Sequence, residues 1–128
     1  MSTTTPEILR KAAEVVRERG LNKGLYIAEK GDPATACVCT YGALYIAAGA
    51  EPHVIDGTED LLLIGQEALS NTLRDEVYAA SAALDTALAY RSDGAFVGVI
   101  NWNDESTTTA EDVIALLEST ATELEAAA

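Results

Sequence analysis

Beyond Arg91 the chain carries no lysine, arginine or histidine, and along all 128 residues it has one histidine, two cysteines, three prolines and one tryptophan. Each shortage closes a class of function. His53 with Cys37 and Cys39 falls short of a zinc constellation, so no metal is expected. Two cysteines separated by one residue would close a strained ring, so they read as reduced thiols of a cytoplasmic protein. No stretch approaches the roughly 18 apolar residues of a membrane span. The start, Met-Ser-Thr-Thr-Thr-Pro, has no basic region followed by an apolar run, so neither secretion nor membrane insertion is expected. The sequence has no phosphate-binding glycine loop, G-x-S-x-G, H-E-x-x-H or calcium loop, so no cofactor is expected and a binding role is favoured over an enzyme. Few prolines and an apolar fraction of 48% rule out disorder along the whole length. The length suits one helical domain over residues 1–128, with residues 1–5 and 126–128 frayed.

Positive charge is scarce and unevenly placed. Eight basic residues stand against 21 acidic ones, a formal net charge of −13. Residues 1–30 are slightly positive, with Arg10, Lys11, Arg17, Arg19, Lys23 and Lys30 against Glu7, Glu14, Glu18 and Glu29. The final third holds only acids: Asp93, Asp104, Glu105, Glu111, Asp112, Glu118, Glu123 and Glu125. Such a field repels phosphate backbones and anionic lipid, so direct contact with nucleic acid or a membrane is disfavoured. A solvated face is the plain reading of these acids. The functional one is a surface of Glu111, Glu118, Glu123 and Glu125 that docks a basic protein partner, or that mimics a nucleic acid. Because the acids alternate with apolar residues at helical spacing, mimicry is the weaker of the two.

What the chain has in plenty is small and apolar side chains, concentrated in residues 37–49, where no charge occurs. A segment apolar all round, too short for a membrane and closed by a glycine suited to a helix C-cap, predicts a buried helix over residues 37–48 that others surround. Ahead of it, Thr5, Pro6 and Glu7 have the form of a helix start, with Thr5 as N-cap. Ile8, Leu9, Ala12, Ala13, Val15 and Val16 make the apolar stripe of that helix, and Gly20 ends it. Residues 21–36 read as an ordered loop with one apolar patch, Leu25, Tyr26 and Ile27.

After a connection over residues 49–57, Thr58, Glu59 and Asp60 favour a helix start ahead of Leu61, Leu62, Leu63 and Ile64, with a strand as the alternative. Leu73, Val77, Ala80, Leu84, Ala87 and Leu88 recur at steps of three and four, which predicts a helix over residues 71–90. Ser92, Asp93 and Gly94 make a turn, and residues 95–100 read as a short strand or an irregular buried segment. Thr108 with Glu111 and Thr109 with Asp112 are overlapping capping boxes. They open a last helix near Ala110, whose core face is Val113, Leu116, Leu117, Thr120, Ala121 and Leu124.

Two constellations carry possible chemistry. Trp102, Asn103 and Asp104 read first as a lock, the indole anchoring the segment while the polar side chains tie down a loop or cap the central helix. Together with Cys39 and Tyr41 they form a candidate ligand pocket, in which an amide and a carboxylate would orient a small polar molecule. Cys39 at a helix start, with His53 and Asn103 or Asp104, has the residue types of a nucleophilic triad. A packed, inert thiol is the commoner role of such a cysteine. Tyr41, Tyr45, Tyr78 and Tyr90 read as core residues with wet hydroxyl tips, and Gly42 as a point of close helix approach.

The order R-G (Arg19, Gly20), C-x-x-G-A-L (Cys39 to Leu44) and W-N-D (Trp102 to Asp104), followed by a threonine-capped last helix, resembles a family of small uncharacterised proteins of actinobacteria and their phages. The likeness covers residues 8–121 and implies a cytoplasmic protein of actinobacterial or phage origin, host cytoplasm in the phage case. It brings no activity. The expected fold is mainly α, a compact bundle of about five helices around a buried central helix, with an α+β arrangement of two very short strands as the alternative. The expected function is that of a non-enzymatic acidic accessory protein that binds a host or phage protein. The alternatives are a small-ligand binder or cysteine-dependent enzyme using Cys39, Asn103 and Asp104, and an acidic nucleic-acid mimic.

Overall fold

The protein is described by a computed structural model, which covers residues 4–23, 36–50, 71–94 and 98–127. Five helices account for most of these: α1 (Thr5–Arg19), α2 (Thr40–Ala47), α3 (Asn71–Arg91), α4 (Val99–Asp104) and α5 (Ala110–Ala127). No sheet occurs among the described residues. Among the described residues the one β-type pairing is an isolated parallel bridge between Leu21 and Val38. The fold is the mainly helical bundle that the periodicities predict.

Helix α1 buries Ile8, Leu9, Ala12, Ala13 and Val16, the stripe expected from spacing. Its N-cap is Thr4, one residue earlier than expected, with Oγ1 accepting from the Glu7 N–H at 3.4 Å. Pro6 therefore sits within the first turn, where a missing N–H costs nothing. Gly20, at φ +90°, stops the helix. The most extensive pairing among the described helices sets α1 against α5, which buries Val113, Leu116, Leu117, Thr120 and Ala121. Each large side chain taken fully into this seam contributes about 1.5–3 kcal/mol.

Helix α2 is the buried one: Thr40, Gly42, Ala43, Leu44, Tyr45 and Ala47 are all out of solvent. It packs on α1 and α3. Its start lies at Thr40 and not at residue 37, because Val38 is committed to the bridge. The Val38 N–H donates to the Gly20 carbonyl at 3.2 Å, and its own carbonyl accepts from the Asn22 N–H at 2.8 Å. At the far end Gly49 takes φ +112°. The Gly49 and Ala50 N–H groups reach back to the Ile46 and Tyr45 carbonyls at 3.0 and 2.9 Å, the paired bonds of a glycine-terminated helix.

Helix α3 buries Val77, Ala80, Leu84, Ala87 and Leu88, as its spacing requires. Tyr78 and Tyr90 depart from expectation: they are 43% and 89% exposed, not core residues. At 100° per residue Tyr78 turns away from Val77 and Tyr90 projects past the end of the buried stripe. Residues 98–100 are not a strand either. The Val99 N–H is taken by Asp85 Oδ1 at 2.9 Å, and this borrowed acceptor starts α4 where Gly98 offers no side-chain cap. For α5 the second of the two capping boxes operates, Thr109 and Asp112 exchanging backbone-to-side-chain bonds at 3.0 and 3.2 Å. Residues 25–27, 51–70 and 95–97 lie outside the described residues, and with them the expected helix start at residue 58, Leu61 to Ile64, and His53.

Candidate functional site

Asn103 is the centre of the Trp102–Asp104 constellation, and it faces inward at 2% exposure. Its Oδ1 accepts from the Thr40 N–H at 2.9 Å and from the Thr40 hydroxyl at 2.6 Å. Its Nδ2 donates to the Asn22 carbonyl at 3.1 Å and to Asp104 Oδ1 at 3.0 Å. One amide thus joins the first turn of α2, the strand-like segment after α1, and α4. This is helix capping by a residue 63 positions distant. A carboxamide suits the place because it accepts and donates at once with no charge to bury.

The same region is closed from outside by Lys23, whose Nζ donates to the backbone carbonyls of Asn103 at 2.7 Å, of Thr108 at 2.9 Å and of Glu105. A cation on the carbonyls at the end of α4 meets the negative pole of that short helix. Lys23 carried no signal in the sequence, because a lone lysine in a loop resembles any solvated one.

Cys39 is the N-cap of α2, its Sγ accepting from the Gly42 N–H at 3.5 Å. A helix start ordinarily acidifies a thiol, yet burial dominates here and pushes Cys39 up to about 11 from 9.0. At neutral pH it is a protonated, packed thiol. Tyr41 is half-buried and shares a hydrogen bond with Ser81, and burial raises its phenol above the ordinary value. Asp104 is exposed, and its Oδ1 accepts from the Asn103 amide.

The structure therefore brings Cys39, Thr40, Asn103 and Asp104 together around the start of α2. Trp102 faces elsewhere. It is half-buried and lines a depression of about 290 Å³ with Leu88, Arg91, Ser92, Asp112, Ala115 and Leu116.

Three acids of the expected partner surface have intramolecular partners. Arg17 donates to Glu118 at 3.2 Å, Arg91 to Glu123 at 2.7 Å, and Arg10 to both Glu125 and, at 3.1 Å, the Thr122 hydroxyl. Glu111 stands exposed in the first turn of α5. The slightly positive first helix and the basic end of α3 are thus laid along the acidic last helix. All three pairs are substantially exposed, so each contributes well under about 1 kcal/mol and can exchange partners.

A second surface feature escaped the sequence. Between α3 and α5 runs an open groove of about 530 Å³, lined by Ala82, Ala83, Thr86 and Ala87 together with Tyr90, Leu124 and the Arg91–Glu123 pair. Thr120 also lines it, and its hydroxyl is buried without a hydrogen-bond partner. The outward face of α3 from Tyr78 to Tyr90 carries one charge, Asp85, which is bonded to the α4 backbone. Alanines at these positions read only as helix formers in the sequence.

Among the described residues no three histidine, cysteine or acidic side chains gather as metal ligands, and no helix is long and apolar enough to cross a membrane. The chain belongs to the DUF6197 family, a family of unknown function, whose model matches residues 1–123. No curated protein and no solved structure matches it.

Proposed function

We propose that this member of the family is a non-enzymatic accessory protein that binds another protein, through the face that α3 and α5 present together. The observation that carries the reading is the outer face of α3, whose one charge between Tyr78 and Tyr90, Asp85, is taken up by the α4 backbone. In a chain of net charge −13 it leaves Tyr78 exposed and sets exposed Tyr90 on an alanine-lined groove. Exposed aromatics next to a small apolar depression are what protein interfaces use as anchors. The exposed Arg91–Glu123 pair lies along the groove, so the partner surface joins apolar contact to charge. The likeness to actinobacterial and phage proteins supports a host or phage protein as the partner, met in the host cytoplasm.

The protonated, capped state of Cys39 and the full engagement of Asn103 weigh against a cysteine-dependent enzyme or a ligand pocket at Cys39, Asn103 and Asp104. The pairing of Glu118, Glu123 and Glu125 with arginines weighs against nucleic-acid mimicry, which needs a dense run of unpaired negative charge.

The test is an affinity pull-down from actinobacterial lysate with wild type, Tyr78→Glu/Tyr90→Glu and Glu118→Gln/Glu123→Gln/Glu125→Gln, each confirmed folded by its melting transition. A protein retained by wild type and lost with the tyrosine variant supports the reading. Equal retention by all three, or none by wild type, overturns it. A partner that proves to be a DNA-binding enzyme, released by salt and lost only with the glutamine variant, would favour mimicry instead.

A further inference from the structure

We infer that α4 is a latch over the start of α2: it opens as a unit while the rest of the bundle stays folded, and in opening it uncovers the Cys39 thiol. The covering geometry is direct. Asn103 Oδ1 accepts from the Thr40 N–H at 2.9 Å and from the Thr40 hydroxyl at 2.6 Å. The neighbouring Asp104 carboxylate lies close enough to Cys39 to act on its thiol. The last turn of α4 therefore sits over Cys39 and Thr40, and Cys39 is left 7% exposed.

The way α4 is held sets it apart from the longer helices. Of its six residues only Val99 and Asn103 are buried, while Ile100 is largely in solvent and Trp102 is half-buried. Helices α1, α3 and α5 each bury five or more side chains. Among the described residues the other fastenings of α4 are hydrogen bonds to distant segments. Asp85 Oδ1 accepts from the Val99 N–H at 2.9 Å at its start. At its end Lys23 Nζ donates to the carbonyls of Asn103 at 2.7 Å, of Thr108 at 2.9 Å and of Glu105. Water can replace such bonds at small net cost, whereas nothing in water replaces apolar burial, so a segment fastened mainly by polar bonds opens first.

Helix α2 does not need the latch to stay in place. Ala43, Leu44, Tyr45 and Ala47 are buried in a helix that packs on α1 and α3, and Val38 is tied to Gly20 and Asn22. In the closed form burial, and after it the Asp104 carboxylate, keep the Cys39 thiol protonated. Opening lifts both, while the Gly42 N–H that donates to Sγ belongs to α2 and stays. The uncovered thiol is then an ordinary nucleophile at a helix start.

The probe is iodoacetamide on Cys37→Ser protein, where alkylation reports Cys39 alone, with urea varied below the unfolding transition. A small opening exposes little surface, so the alkylation rate should be nearly flat at low urea and turn steep only near the transition. Lys23→Met keeps the length of the side chain and removes its donors. With three charge-assisted bonds lost, it should speed alkylation at low urea about tenfold or more. Asp85→Ala should act in the same direction, whereas Asp85→Asn, which retains an acceptor oxygen, should stay near the parent rate. Hydrogen exchange supplies the second readout: in Lys23→Met the Thr40 amide should exchange faster by the same factor as Cys39 alkylates, with the Ala12 amide of α1 unchanged. A steep urea dependence down to zero denaturant means that only global unfolding reaches Cys39, and overturns the latch. So does a Lys23→Met protein in which alkylation and Thr40 exchange keep their parent rates. Equal acceleration at Cys39 and Ala12 shows the whole bundle loosened, and the latch falls with it.

Discussion

Asn103 holds three segments together with one side chain, and its removal should be costly out of proportion to its size. Asn103→Ala takes the shared acceptor from the buried Thr40 N–H and hydroxyl and one donor from the part-buried Asn22 carbonyl. A loss of about 2–4 kcal/mol is expected, read from urea unfolding at unchanged slope; a loss below about 1 kcal/mol would mean that water enters and replaces the amide.

Cys39 makes a prediction in pH. Its folded pKa, about 11, lies above the 9.0 of a free thiol. The stability tied to the protonated form is therefore complete below pH 9 and lost as pH rises from 9 through 11. The full effect is on the order of 3 kcal/mol at two pKa steps. Tyrosines titrate in the same range, so the quantity to measure is the difference in unfolding free energy between wild type and Cys39→Ala, which should shrink over that window. A constant difference would show that the thiol is not desolvated. Cys37 is less buried than Cys39 and should react first with a thiol reagent.

At the scale of the element, the ends decide more than the middles. The box that opens α5 ties Thr109 to Asp112 in both directions. Thr109→Ala should lower stability by about 1 kcal/mol, seen as a lower melting temperature. At the end of α3, Asp93 occupies φ +55° while the Asp93 and Gly94 N–H groups bond back to the Tyr90 and Ala89 carbonyls. A glycine would hold that backbone without the Cβ penalty, so Asp93→Gly should raise stability by about 0.5–1 kcal/mol.

Helices α1, α3 and α5 were readable because each repeats its apolar residues for three or more turns. Helix α4 was not, since six residues are too few to show a period. It exists because Asp85 accepts at its start and Lys23 donates at its end, and both belong to other parts of the chain.

For the whole molecule the question is whether attraction or repulsion dominates an acidic chain. Arg10, Arg17 and Arg91 make exposed pairs with Glu125, Glu118 and Glu123 that are individually weak. The net charge of −13 opposes compaction throughout. Screening should therefore relieve more repulsion than it removes attraction. The melting temperature should rise from low to high sodium chloride, and a fall would mean that the three pairs outweigh the excess negative charge.

The sequence by itself determined the helical class, the apolar stripes of α1, α3 and α5, the buried character of α2, and the Gly20 and Gly49 stops. These are local properties, written in the spacing and size of neighbouring side chains. Tertiary structure alone decided that Asn103 caps α2 from 63 residues away, and that Arg10 meets Glu125 across 115 residues. It also decided that Tyr90 faces solvent on an alanine-lined groove. Pairings of that kind depend on how amphipathic helices rotate and seat against one another. An apolar period fixes which face of a helix is buried, but not which polar groups end up side by side once it is.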